Sequence, residues 1–232
     1  MRFSAALFAT ALFAADPPPP ASFTVPQAKA DFKLTANPRA PQWKRVKPVS
    51  GGVDPFGKPA SAANAFEFRT LWTKDNLYFL FTCPYDSLHL KPNPSTTEET
   101  NKLWEWDATE VFVGSDFQTI THYQEFQVSP QGEWVDLDID RVNPLPEGGW
   151  KWNSGMKVAA RIDKNKKIWY GEMMIPMRSI DKRTPQAGNE MRINVYRLTG
   201  AAPARVSTMW TPTQQRSHHT PEAFGRMILG KR

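Results

Sequence analysis

The chain has 232 residues, 12% of them aromatic with nine tryptophans, one cysteine, and a formal charge of +6 at neutral pH. That supply of apolar and aromatic side chains excludes a chain disordered throughout, and a lone cysteine excludes a fold stapled by internal disulfides. Basic residues fall in short groups such as Lys164, Lys166 and Lys167 rather than in one long block, which argues for a solvated basic surface and against a nucleic-acid partner.

Met1-Arg2 followed by the apolar, small-residue run Phe3 to Ala15 has the pattern of a secretory signal peptide over residues 1–15. The run is too short to span a bilayer, and no other segment approaches spanning length. The expectation is an exported protein, secreted or periplasmic, with no membrane span. Asp16 and four prolines follow as a stiff spacer. With an extended lead-in they make a linker over residues 16–40, ahead of one domain at residues 41–232.

Strand patterns dominate that domain. Residues 65–72 alternate, Thr73 to Asn76 turn, and residues 77–83 return as a more apolar strand carrying Cys83, which reads as a buried, inert thiol. Residues 87–102, with Pro92 and Pro94, read as a long loop, and 109–113 as a strand. Residues 121–129 and 133–140 form a second hairpin around Pro130-Gln131-Gly132, and residues 156–162 and 168–175 a third. Pro176 stops the last of these before a helical turn at 177–180, and strands at 191–198, 206–210 and 227–229 complete the series. About ten short strands with almost no helical period predict an all-β fold, an antiparallel β-sandwich of immunoglobulin-like or jelly-roll-like layers with long loops. Phe66, Phe68, Phe79, Phe81, Phe112, Phe126 and Tyr196 are the candidates for its core.

The most informative stretch is Trp104-Glu105-Trp106-Asp107-Ala108-Thr109-Glu110-Val111-Phe112. Flat apolar indoles beside fixed carboxylate acceptors suit a sugar ring, with its C–H faces and hydroxyl equator. Trp104 and Trp106 share a face if extended, so either can be the platform. Asp107 and Glu110 are the pair that a glycosidase would need, but their spacing in sequence sets no spatial separation. No nucleophile–base set accompanies them, so the reading is a binding surface and not an enzyme.

The stretch resembles the W-E-x-D-x-x-E-x-F signature of carbohydrate-binding module family 9. Gln124-Glu125-Phe126-Gln127-Val128, Trp169-Tyr170-Gly171-Glu172-Met173-Met174-Ile175-Pro176, Arg192-Ile193-Asn194-Val195-Tyr196-Arg197 and Pro221-Glu222-Ala223-Phe224-Gly225 follow in the family's order. The resemblance covers about residues 60–230 and implies a DOMON-like β-sandwich that holds a glycan end, an oligosaccharide or polysaccharide terminus, between two aromatic walls. It implies that Trp104 is the first wall and Glu110 the acceptor. Gln127 stands where a basic residue is expected, Tyr196 where a glutamine is, Gln215 where an asparagine is, and His218 where the second tryptophan is. An imidazole buries less apolar area than an indole, so the implied affinity is weak, about micromolar to millimolar.

The resemblance also implies structural calcium. Asp136, Asp138 and Asp140 alternate on one strand with Glu147 beyond, but Arg141 replaces the glycine of an EF-hand loop. Asn194 reads as satisfying backbone groups, and Arg197 as either structural or a ligand donor. His218-His219, with Met209 and Met227 nearby, are the residues for a haem reading, and His89 and His122 are scattered. Beside the sugar-binding reading stand an envelope protein-interaction sandwich that has lost sugar binding and a haem-carrying electron-transfer domain.

Overall fold

A computed structural model describes residues 20–232. The signal peptide read at residues 1–15, and the spacer up to residue 19, lie outside the described residues. Twelve strands form two sheets. The five-stranded sheet runs β2 (Val49–Gly51), β3 (Phe66–Trp72), β4 (Asn76–Pro84), β9 (Ile168–Pro176), β8 (Lys157–Asp163). The seven-stranded sheet runs β1 (Ser22–Val25), β12 (Gly225–Leu229), β10 (Glu190–Thr199), β5 (Ala108–Gly114), β6 (His122–Val128), β7 (Trp134–Asp140), with β11 (Val206–Met209) also paired to β10.

The three hairpins stand where the alternation places them: β3 pairs β4, β6 pairs β7 and β8 pairs β9, all antiparallel. One pair departs from the antiparallel expectation. β1 lies parallel to β12, with Phe23 opposite Met227. The segment read as a lead-in therefore contributes a strand to the sandwich, and its polar, proline-flanked sequence conceals this because only Phe23 and Val25 face apolar neighbours.

Alternation decides what the layers bury. Phe66, Phe68, Phe79 and Phe81 from one sheet meet Val111, Val113, Phe126, Val128, Ile193 and Val195 from the other in the main core, joined by Trp169 and Cys83. Burial pushes the Cys83 thiol up to about 12, so it is inert as expected. Gly171 leaves no room for a side chain between the sheets, since a Cβ there would sit 2.9 Å from Val128 Cγ1. Phe112 and Tyr196 are buried but not in this core. They point to the opposite face of the seven-stranded sheet, beside Tyr123, Met209 and Phe224.

Residues 27–46 pack across the outer face of the five-stranded sheet. Trp43, Ala40, Leu71, Tyr78 and Leu80 form a second apolar cluster there, with Phe32 and Leu34 against it. No helix among the described residues is long and apolar enough to cross a membrane.

Candidate functional site

The outer face of the seven-stranded sheet is built by period-two alternation in β5. Val111 and Val113 point inward to the core, so Glu110 and Phe112 point outward. Register then fixes their neighbours. Glu110 lies between Tyr196 of β10 and Gln127 of β6, and Phe112 between Asn194 and Glu125. Above this floor lies a cavity of about 620 Å³, lined by Trp104, Phe112, Leu137, Ile139, Leu198, Glu110, Glu125, His218 and His219, with Asn101, Lys102, Glu147, Gly148, Arg216 and Ser217.

Glu110 is buried but lines the cavity. Gln127 Nε2 donates to its Oε1 at 2.9 Å, and His218 Nδ1 lies 2.8 Å from Oε2. The same Gln127 amide donates to Glu125 Oε1. Burial, reinforced by the charge of Glu110, holds the Glu125 carboxyl well above the usual carboxylate range. The Gln127 amide thus bridges the two carboxyl groups, and the raised Glu125 pKa eases their repulsion.

His218 is fixed on both sides. Its ring stacks on Tyr196 with centroids 4.3 Å apart and planes 9° apart, its Nδ1 faces Glu110, and its Nε2 contacts Ser207 Oγ. The Tyr196 hydroxyl donates to the His218 carbonyl at 2.8 Å. A carboxylate only accepts, so Nδ1 carries a hydrogen toward Glu110. Hydroxyl, imidazole and carboxylate stand in the order of an acyl-transfer relay, but Ser207 is not among the cavity's lining residues. Its hydroxyl anchors the ring. His219 packs against Phe112 at 5.1 Å, and its Nδ1 lies 2.7 Å from the Tyr123 hydroxyl. Burial lowers the His219 pKa, so this second imidazole is neutral.

Of the six residues singled out by sequence, Trp104, Glu110 and His218 line the cavity together. Gln127 and Tyr196 are fully buried behind Glu110 and His218 and act by holding them. Gln215 is not brought in. It is exposed, its carbonyl accepts from Thr213, and the neighbouring Arg216 lines the cavity instead. Its predecessor Gln214 sits in the left-handed region at φ 57°, a turn that local spacing does not reveal.

The indole alternatives separate. Trp104 is half-buried and packs against the cluster of Leu103, Ala108, Val135 and Leu137. Trp106 stacks on His89 at 4.5 Å, outside the cavity lining. Asp107 is no partner for Glu110 in acid–base chemistry. It is buried, accepts from the backbone N–H of Gly200 at 2.7 Å and of His89 at 3.1 Å, and ties two loops together. Arg197 is not a ligand donor either. It is buried and donates to the carbonyls of Ala65 and Pro84, linking the two sheets. Asn194 satisfies backbone groups of Thr211 and Val195 as expected.

Sequence reasoning did not bring Glu125, His219, Arg216 or Lys102 to the binding site, although all four line the cavity. Two-residue spacing from Gln127 puts Glu125 on the same face, a signal available once Gln127 is placed. Arg216 and Lys102 sit on loops, where no period applies.

The acidic residues read as a calcium set each accept hydrogen bonds from the chain's own donors. Asp136 accepts from Ser154, Asp138 from His122 and Gln124, Asp140 from the N–H groups of Val142 and Asn143, and Glu147 from Lys151 and Trp150. No group of three or more His, Cys, Asp or Glu side chains is placed to hold a metal ion among the described residues. Of the residues named for haem, His218 has both ring nitrogens engaged, and Met227 lies in the core between the sheets.

The chain matches the family model described as carbohydrate family 9 binding domain-like over residues 40–232. No curated protein matches it. It is similar in structure to a carbohydrate binding module family 9 from Caldicellulosiruptor kristjanssonii in complex with cellotriose, at 14% identity and TM-score 0.65, covering 91% of this chain and 95% of that one. The same organism's module in complex with glucose gives 14% identity and TM-score 0.63, covering 91% and 97%. A protein from Bacteroides uniformis gives 16% identity and TM-score 0.70, covering 90% and 98%. At these identities the likeness is one of fold.

Proposed function

The chain belongs to the carbohydrate family 9 binding domain-like family, and from that premise we propose an exported, non-catalytic module that holds a glycan end in the cavity over β5. One observation carries the reading: Trp104, Glu110 and His218, distant in sequence, line one cavity whose remaining walls are largely apolar. Its volume of about 620 Å³ suits a small ligand.

The chemistry follows from the parts. Trp104, with Leu137, Ile139 and Leu198, offers an apolar surface to the C–H face of a pyranose. Glu110 has two acceptor oxygens with about four lone-pair sites, and Gln127 and His218 occupy only part of them. A ring hydroxyl can donate to what remains. His218 forms the opposing wall, held flat by Tyr196. Its smaller ring leaves less stacking area than a second indole, which supports an affinity of about micromolar to millimolar. The clamped Asp107 and the position of Ser207 outside the lining support a binding role over a catalytic one. Export rests on the N-terminal sequence pattern.

The test is a tryptophan-fluorescence titration of the mature chain with glucose and cello-oligosaccharides, followed by a broad glycan array. The expected result is a ligand-dependent change in emission that Trp104→Ala removes, with affinity falling about tenfold or more. A blank array overturns the reading and leaves the protein-interaction alternative.

A further inference from the structure

Two of the side chains lining the cavity are cations with no partner of their own. Lys102 and Arg216 line it, both exposed, and neither makes an intramolecular hydrogen bond through its side chain or an ion pair among the described residues. Two more cations stand at its edge. Arg141 donates to the carbonyl of His219, and Arg205 to the carbonyls of Gly200, Trp104 and Glu105. A guanidinium spent on backbone carbonyls keeps its full charge. The carboxyl groups lining the cavity are already engaged: Glu147 by Lys151 at 2.9 Å, Glu110 by Gln127 and His218, and Glu125 by Gln127.

Lys102 also holds an unusual backbone conformation. Its φ of 60° and ψ of 35° place it in the left-handed region, where a glycine or asparagine would be easier. Such strain gathers where a side chain has to be presented in one direction. Here that direction is the cavity.

We propose that the ligand of this cavity is an acidic pyranose, a hexuronate whose carboxylate is received by Arg216 and Lys102 while its ring lies against Trp104. This rests on the sugar-binding reading and names its substrate class. A guanidinium presents a planar fork that matches the two oxygens of a carboxylate, and a lysine adds a mobile second charge. The ring hydroxyls keep Glu110 as their acceptor, on the cavity floor and away from the anionic substituent. The basic surface of the chain steers an acidic polymer toward the same mouth.

The test is isothermal titration calorimetry on the mature chain with methyl β-glucuronide, methyl β-glucoside and glucose 6-sulfate, at low and high salt. The expected result is that the glucuronide binds at least tenfold tighter than the glucoside, with an advantage that shrinks as salt rises. Lys102→Gln combined with Arg216→Gln should remove that ratio, and Lys166→Gln, far from the cavity, should leave it intact. Weaker binding of the sulfate supports the carboxylate class, and equal or tighter binding overturns it in favour of a sulfate ester. Equal affinity for glucuronide and glucoside overturns the inference while the sugar-binding reading stands. Binding of none of these sugars, with a blank array, takes down both.

Discussion

Both outer faces of the sandwich bury a glutamate on a central strand, and they treat it differently. On the five-stranded sheet, Glu172 of β9 is surrounded by donors from its own chain. Thr35 and Ala36 N–H groups meet Oε2 at 2.6 Å, and the Trp43 indole meets Oε1 at 2.8 Å. Phe32 stacks on Tyr78 at 4.0 Å beside this clasp. The N-terminal segment thus seals that face much as a ligand would, with an indole and convergent donors. On the seven-stranded sheet, Glu110 receives only Gln127 and His218, and a cavity stands over the remainder. A buried carboxylate has to be met by donors. Where the chain supplies all of them the face is structural, and where it leaves room a second molecule can complete the set.

The largest expected effect separates the two indoles. Trp43 is almost wholly buried beneath the clasp, so Trp43→Ala should cost about 3–5 kcal/mol of folding stability. Trp104 is only partly buried at the cavity, so Trp104→Ala should cost less, about 1–2 kcal/mol, while weakening ligand binding. Urea unfolding midpoints measure both. Equal losses would break the contrast between a sealed face and an open one.

The two glutamates sharpen it next. Glu172→Ala strands two backbone N–H groups and an indole N–H in a buried place, a loss of about 2–3 kcal/mol after local relaxation. Glu110→Ala leaves donors that can turn to cavity water, and about 1 kcal/mol is expected. Amide hydrogen exchange gives a local check. In Glu172→Ala the Thr35 and Ala36 amides should lose protection, whereas Glu110→Ala should leave them unchanged.

Much of this contrast was legible in the sequence, and for a definite reason. Period-two alternation marks strands independently of context, so β3 to β10 stand within a residue or two of the positions it assigns. The same alternation cannot say which of a strand's two faces meets the core, which is why Phe112 and Tyr196 read as core. β1 and the Glu172 clasp were illegible because they depend on pairing across some 130 to 200 residues of chain. The cavity was half legible. Trp104, Glu110 and His218 carry chemical signals that survive in sequence, but Arg216 displaced Gln215 through a left-handed turn at Gln214.

A smaller effect comes from protonation on the open face. Glu125 is held above its ordinary value of 4.5 by burial and then by the charge of Glu110. A carboxyl raised in the folded state stabilises fully below its unfolded pKa and loses that contribution as pH rises through the folded one. Glu125→Gln keeps the neutral form at all pH values. Its melting temperature should equal that of the parent near pH 4 and exceed it at pH 8. A variant less stable than the parent at pH 8 would mean that Glu125 is ionised on this floor.

The smallest effect lies at the sandwich edge. Burial and the charge of Asp136 push Glu99 up to about 7 from 4.5. Asp136 is itself raised by burial, and its Oδ1 is buried without a hydrogen-bond partner. The stability that Glu99 contributes below about pH 4.5 is lost as pH climbs through about 7. Glu99→Gln should therefore be neutral at pH 4 and stabilising at pH 8, measured in EDTA. Glu99 is partly exposed, so solvent screening leaves on the order of 0.5 kcal/mol, about one to two degrees in Tm. Repeating the melt in calcium turns the same variant into a test of the calcium expected from the sequence. A cation held by Glu99 and Asp136 would reverse the sign, because the substitution would then remove a ligand rather than a repulsion.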